Sequence, residues 1–251
     1  MNILITAGGT SEKIDQVRVL TNQATGRLGK EIADVFKHDN VHIYYVHGPQ
    51  AVLPTGDNVE LIPIHSVKEL YTQMETLLTT KSIDYVIHSM AVSDYQANQA
   101  LSDDTLARTL AQNLIHLPDL SEDELTNVIQ QLLHNPNSFP DQTAKKISSK
   151  GEQLILILDK APKIIQHIKK WQPNTTLIGF KLLVGVSEEE LVQVAKESIV
   201  KNQADFILAN DLENITNEQH IGLLVDNTGI KQRFTTKKDI AQGIKQLIIE
   251  K

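Results

Sequence analysis

At 251 residues, with 41% hydrophobic and 22% charged side chains, the chain has the makeup of a globular protein large enough to bury a full core. The absence of cysteine excludes disulfides, thiolate metal sites and cysteine nucleophiles, and the nine histidines are scattered without metal-ligand spacing. A net charge of −7 disfavours nucleic acid, no apolar run is long enough to span a membrane, and no signal segment opens the chain, so a cytoplasmic protein is expected.

Asn2–Thr6 reads as a short apolar strand that runs into the turn Ala7-Gly8-Gly9-Thr10. A dinucleotide fingerprint would open a helix there at once. Instead a polar stretch, Ser11 to Thr25, carries Asp15, Arg18, Thr21 and Asn22 before Gly26-Arg27-Leu28-Gly29 starts a helix. A loop that long between a strand and its helix points to function. Further strands are expected at Val41–His47, Val59–Pro63, Tyr85–His88, Gln153–Leu158, Leu177–Lys181 and Phe206–Ala209. Helices are expected at Arg27–Lys37, Val67–Thr79, Ala161–Trp171, Glu188–Asn202 and Lys237–Glu250. Short all-apolar strands alternating with helices predict an α/β fold, a Rossmann-like parallel sheet flanked by helices. Leu223–Asp226 and Ile230–Thr235 around Asn227-Thr228-Gly229 predict a C-terminal β-hairpin extension.

The stretch 96–144 breaks the alternation and reads as a helical insertion within a single domain, 1–251. It holds two short helices between Leu101 and Leu133, the second opened by a Ser121/Glu124 capping box. It carries seven acidic residues and one basic residue, Arg108, whereas Lys145 to Lys170 carries seven lysines. Like charge would disfavour an acidic lid over an anion, so the insertion is expected at the periphery, beside any dimer contact.

Open parallel sheets bind ligands at the carboxyl ends of their strands, which directs attention to the residues after Thr6, His88, Leu158, Lys181 and Ala209. Gly8, Gly26 and Gly29 suit a phosphate held on backbone N–H groups at a helix start. Asp94, in the segment His88-Ser89-Met90-Ala91-Val92-Ser93-Asp94-Tyr95, could orient a ligand or cap a turn, and a lone His88 is more often a core histidine than a base. Lys145-Lys146-Ile147-Ser148-Ser149-Lys150 reads as a basic flap or as a solvated loop. Pro162, Lys163, Ile164 and Ile165 stand at a strand-to-helix junction, Phe180 and Asn210 close strands, and Lys201 ends a helix. No P-loop and no nucleophile elbow is present.

Residues 7–29, read as AGGT-x-E-x-ID-x-VR-x-x-TN-x-x-x-G-x-x-G, together with AVSDY at 91–95, KISS at 146–149, DKAPKII at 159–165, GFK at 179–181, KNQAD at 201–205 and AND at 209–211, resemble the phosphopantothenoylcysteine synthetase family. The resemblance implies ligation of 4′-phosphopantothenate to L-cysteine through an acyl-nucleotide, at the expense of CTP or ATP with Mg²⁺ and with pyrophosphate released. It implies that Asn22 meets the substrate carboxylate and that Arg18 reaches phosphopantothenate in a neighbouring subunit of a homodimer. Gly8, Gly26 and Gly29 would then cradle the triphosphate, and Met90, Ala91 and Asp94 would border both substrates. Lys146 would act on the transferring phosphate, and Pro162 to Ile165, Phe180, Lys201 and Asn210 would complete the nucleotide site. Ala24 and Thr25 replace the family's usual serines, Met90 replaces a small residue, and Glu197 stands where bacterial relatives often carry a lysine. The chain opens on the synthetase motif, which implies a stand-alone bacterial form. The resemblance leans to CTP. A nicotinamide-dependent reductase, or a nucleotide-binding module without activity, are the alternatives. A reductase would want an acid where His47-Gly48-Pro49 ends the second strand.

Overall fold

The computed structural model describes residues 1–139, 153–216 and 218–250. Along the chain the elements run β1 (Asn2–Ala7), β2 (Ser11–Lys13), β3 (Val19–Thr21), α1 (Arg27–Asp34), β4 (His42–His47), β5 (Val59–Pro63), α2 (Val67–Thr80), β6 (Tyr85–His88) and β7 (Tyr95–Ser102). There follow α3 (Asp103–Leu114), α4 (Glu122–His134), β8 (Leu154–Lys160), α5 (Ile165–Trp171), β9 (Thr176–Leu183), α6 (Glu188–Asn202), β10 (Phe206–Asp211), β11 (Gly222–Val225), β12 (Ile230–Phe234) and α7 (Lys237–Ile249).

Two compact units emerge. The first comprises 1–11, 22–93 and 162–251, and the second 12–21 and 94–161. In the first unit eight strands form one sheet in the order β12-β11-β10-β9-β6-β1-β4-β5. From β5 to β10 the strands are parallel, and β11 and β12 add an antiparallel hairpin at one edge. The parallel strands are apolar because both faces are covered. On one face Ile3, Ile5, Ile43 and Ile87 pack with Ile32 and Phe36 of α1 and Ile240 and Ile244 of α7, all without solvent exposure. At about 1.5–3 kcal/mol for each fully buried aliphatic or aromatic side chain, this burial dominates the weak local preference of strands only four to six residues long. The chain leaves β1 for β4 and β5, then returns to place β6 on β1's other side, so the order reverses between β1 and β6. That reversal is the switch point at which open sheets open a crevice.

The second unit departs from the strand pattern expected of the sequence. The apolar run at 153–158 is not a strand of the parallel sheet. It forms β8 and pairs antiparallel with β7. Its residues are only partly covered, and Leu154 is 41% exposed. An apolar run alone does not say whether both faces are buried, and β7 itself (YQANQALS) lacks the β-branched residues that would have announced it. Within the region read as a helical insertion, 96–144, residues up to Ser102 form β7, and α3 and α4 follow in a unit that also takes in 12–21. Its helices are where the sequence puts them, with the Ser121/Glu124 capping box formed, although α4 buries no residue completely. The polar loop after β1 is not structureless either. β2 and β3 pair, and Asp15 Oδ1 accepts from the N–H groups of Val17 and Arg18 (2.8 Å each) to close the turn between them.

In the first unit, α5 starts at Ile165 and not at Ala161, because the residue before Pro162 is driven out of the helical region.

Helix α7 is fixed by a reciprocal cap. Thr236 Oγ1 accepts from Asp239 N (3.1 Å) while Asp239 Oδ2 accepts from Thr236 N (3.0 Å). Thr236→Ala should lower unfolding free energy by about 1 kcal/mol, read from the urea midpoint at unchanged slope. An unchanged midpoint would contradict this role for the cap.

Candidate functional site at the switch point

The carboxyl ends of β1 and β6 are tied together beyond the strands. Ala91 N donates to Gly8 O (2.8 Å) and Thr10 N donates to Ala91 O (3.2 Å), which extends the parallel ladder through Gly9 and Ala91. Ala91 O also accepts from the Asn22 side-chain amide at 3.0 Å. One backbone oxygen thus fixes the end of β1, the segment after β6 and the amide of Asn22.

This packing leaves no room for side chains. Gly26, at φ +66° just before α1, would put a Cβ 2.9 Å from Gly8 N. A Cβ on Gly48, after β4, would fall 2.0 Å from Gly9 O, far inside van der Waals contact. Gly8 lies at φ +80° against Ala51, and Gly29, in the first turn of α1, lies against Ala7 and Ser89. The first turn of α1 therefore sits directly beside the switch point, with no side-chain cap consuming its N–H groups.

Behind this backbone lies a buried polar cluster. Thr6 Oγ1 accepts from Met90 N (3.2 Å) and lies 2.9 Å from His88 Nδ1, while Ser89 Oγ donates to Thr6 O (2.6 Å). Thr6 is fully buried and His88 is 7% exposed. Burial pushes the His88 imidazole down to about 4, so the ring is neutral near pH 7.

The structure gathers Gly8, Gly26, Gly29, Asn22, Met90 and Ala91 at one place. At the ends of β9 and β10, Phe180 packs partly into the core, and Asn210 is buried with its Nδ2 3.3 Å from His220 Nε2. His220 is buried and neutral, its imidazole lowered to about 4 by desolvation and then by nearby Lys237. Next to Asn210, Asp211 accepts from Gly185 N, Val186 N and Glu213 N, which holds its carboxyl below the usual range and pins the loop after β9. Pro162 and Lys163 are exposed, Ile164 is buried, and Ile165 points its Cδ1 at the side-chain-less Gly179. Lys201 is exposed at the end of α6. Asp94 and Arg18 belong to the second unit, where both nitrogens of one edge of the Arg18 guanidinium bind Asp15 Oδ2 (3.0 and 2.6 Å). Lys146 lies outside the described residues. Thr6, Thr10, Ser89, Gly48 and His220 were not singled out by sequence. Only their position at or after the ends of strands β1, β4 and β6, or opposite a strand end, could have pointed to them.

A mostly parallel sheet with glycine-lined turns and a helix start at its switch point defines an α/β protein with a Rossmann-like sheet. Residues 1–130 and 136–251 match the DNA/pantothenate metabolism flavoprotein C-terminal domain, and the chain belongs to that family. A solved structure of the DNA/pantothenate metabolism flavoprotein from Streptococcus pneumoniae is 35% identical, with a TM-score of 0.82 over 100% of this chain and 99% of that one. The coenzyme A biosynthesis bifunctional protein CoaBC of Thermococcus kodakarensis is 27% identical over 243 residues, which are 96% of this chain and 49% of the relative. The chain thus spans about half the length of that relative. A Cab2 mutant solved in complex with phosphopantothenate-cysteine shares the fold, at 15% identity and a TM-score of 0.62 over 99% of this chain and 88% of that one. Among the described residues no helix is long and apolar enough to cross a membrane.

The buried histidines set an acid limit. A His88 held at about 4 when folded and near 6.5 when unfolded takes up its proton only on unfolding, so its stabilisation is complete above pH 6.5 and is lost as pH falls through 4. The difference is worth roughly 3 kcal/mol. Urea midpoints between pH 4 and 7 should fall steeply for the wild type and less steeply for His88→Asn. Equal slopes would contradict the burial argument.

Proposed function

We propose that the chain joins 4′-phosphopantothenate to L-cysteine, using CTP or ATP, in coenzyme A biosynthesis. The observation that carries the proposal is the Asn22 carboxamide, bound to Ala91 O at 3.0 Å where the glycine-lined helix start meets the switch point. Membership of the family, and the names of the relatives, support the same reading.

In this reading the triphosphate rests on backbone N–H groups at Gly8, Gly26 and the first turn of α1 around Gly29. The phosphopantothenate carboxylate lies against Asn22 and the Met90-Ala91 backbone. A carboxylate oxygen attacks the α-phosphorus and pyrophosphate leaves, with Lys146 offsetting the charge that develops on it. The cysteine amine then attacks the acyl carbon, the nucleoside monophosphate departs with that oxygen, and the amine loses its proton. Asp94 borders the substrates, Arg18 serves the phosphate across a homodimer, and Pro162 to Ile165, Phe180, Lys201 and Asn210 hold the nucleoside. Among the described residues no three His, Asp or Glu side chains are grouped to hold a metal. Mg²⁺ is proposed to arrive on the triphosphate as part of the substrate, as is usual for this ion.

A reductase is disfavoured by the second parallel strand, β4, which ends at His47 and is followed by Gly48, with no acid for a ribose. With phosphopantothenate, cysteine, Mg²⁺ and either nucleotide, the protein should release pyrophosphate, CTP being the preferred donor. No release with either would overturn the proposal. Asn22→Asp should cut turnover by about a hundredfold or more while the fold persists, because a carboxylate there repels the substrate's own. A wild-type rate would remove Asn22 from the mechanism.

A further inference from the structure

We infer that His88 is a positioning residue: through the Thr6 hydroxyl it holds the backbone of 89–91, and with it the Asn22 amide, in the geometry that acyl transfer needs. The inference rests on the functional reading above and deepens it.

The Thr6 hydroxyl has a single proton to place. Thr6 is fully buried, so water cannot satisfy it. Its oxygen already accepts the Met90 N–H at 3.2 Å, and its proton then has His88 Nδ1, 2.9 Å away, as acceptor. That arrangement requires a bare Nδ1, which places the ring's proton on Nε2. A proton on Nδ1 would leave the hydroxyl hydrogen without an acceptor in a buried place. In the sheet His88 lies in register between Thr6 and Gly179, and glycine offers no side chain as a substitute acceptor. The histidine therefore sets the direction of the Thr6 hydroxyl, and that direction aims a lone pair at Met90 N.

Beyond Met90 the chain of bonds leads directly to the proposed chemistry. Ser89 is clipped to Thr6 O, Ala91 N to Gly8 O, and Ala91 O receives Asn22. A shift of the 89–91 backbone would carry the Asn22 acceptor with it. Misplacement of a reacting or orienting group by about 1 Å can cost on the order of a hundredfold in rate. His88 itself, nine-tenths covered, has no need to touch substrate in order to matter.

The variants separate the two ring nitrogens. Asparagine places an amide oxygen as many bonds from Cα as Nδ1, whereas glutamine places its amide one bond further out, near the place of Nε2. His88→Leu and Thr6→Val should each lower kcat by roughly tenfold to a hundredfold with KM little changed, and the double variant should be no worse than either. His88→Asn should recover most of the lost kcat, and His88→Gln should not. Two readouts do not depend on turnover. Imidazole ¹⁵N spectra of the wild type should show Nε2 protonated and Nδ1 bare, and amide exchange at Met90 should speed up in His88→Leu and Thr6→Val but not in His88→Asn. Wild-type exchange at Met90 in both leucine and valine variants, or a proton on Nδ1, would overturn the inference whatever the turnover. A wild type that releases no pyrophosphate, with Met90 exchange still responding as expected, would overturn the acyl-transfer role and leave the His88–Thr6–Met90 link standing.

Discussion

The rest of the structure depends on how closely the backbone packs at the end of β1. Gly9 is approached from one side by Gly48, where even a methyl group would fall 2.0 Å from its carbonyl oxygen, and Gly8 is approached from another by Gly26. That closeness lets α1 begin beside the switch point with its N–H groups unspent. It also lets the segment after β6 continue the ladder of β1 by one more pair, Gly9 and Ala91. Side chains would have separated these strand ends, and a ligand could then have met only side chains, each with its own rotamers. Backbone donors held by a sheet lose little freedom on binding, which is the advantage of a preorganised site.

The polar groups beneath that backbone are rigid for the same reason. Thr6, His88 and the Met90 amide lie in an interior where an unmade hydrogen bond costs about 1–3 kcal/mol, so each must be satisfied by a neighbour. Once each donor is matched to an acceptor, one arrangement remains. The neutral histidine belongs to that arrangement, and burial keeps it neutral. Asn210 and His220 form a second buried polar pair at the end of the last parallel strand, where His220 Nε2 meets Asn210 and Nδ1 is left without a partner. Polar groups are buried at these strand ends, where the apolar body of the sheet gives way to its carboxyl edge.

Much of this could be read from the chain, for identifiable reasons. Six of the seven expected strands joined the parallel sheet because a run such as Ile3-Leu4-Ile5 admits few other uses when helices flank it. The capping box at Ser121 and the hairpin around Gly229 follow local rules and were equally legible. The β7–β8 ribbon was not. Its pairing joins residues more than fifty positions apart, one partner is weakly patterned, and the other looks like a core strand. At the site, the glycines were legible from the turn after β1 and the helix start that follows, and Asn22 from the family resemblance of residues 7–29. Thr6 and His88 did not, since a threonine and a histidine at strand ends carry no signal until the register places them side by side.

In the proposed reaction the substrate carboxylate beside Asn22 is activated by nucleotidyl transfer. Phosphopantothenate labelled with ¹⁸O in its carboxylate tests it most directly, because each turnover must pass one carboxylate oxygen to the departing nucleotide. The account predicts one ¹⁸O in the nucleoside monophosphate and none in pyrophosphate, by mass spectrometry of the products. Unlabelled monophosphate, or label recovered in inorganic phosphate, would contradict it.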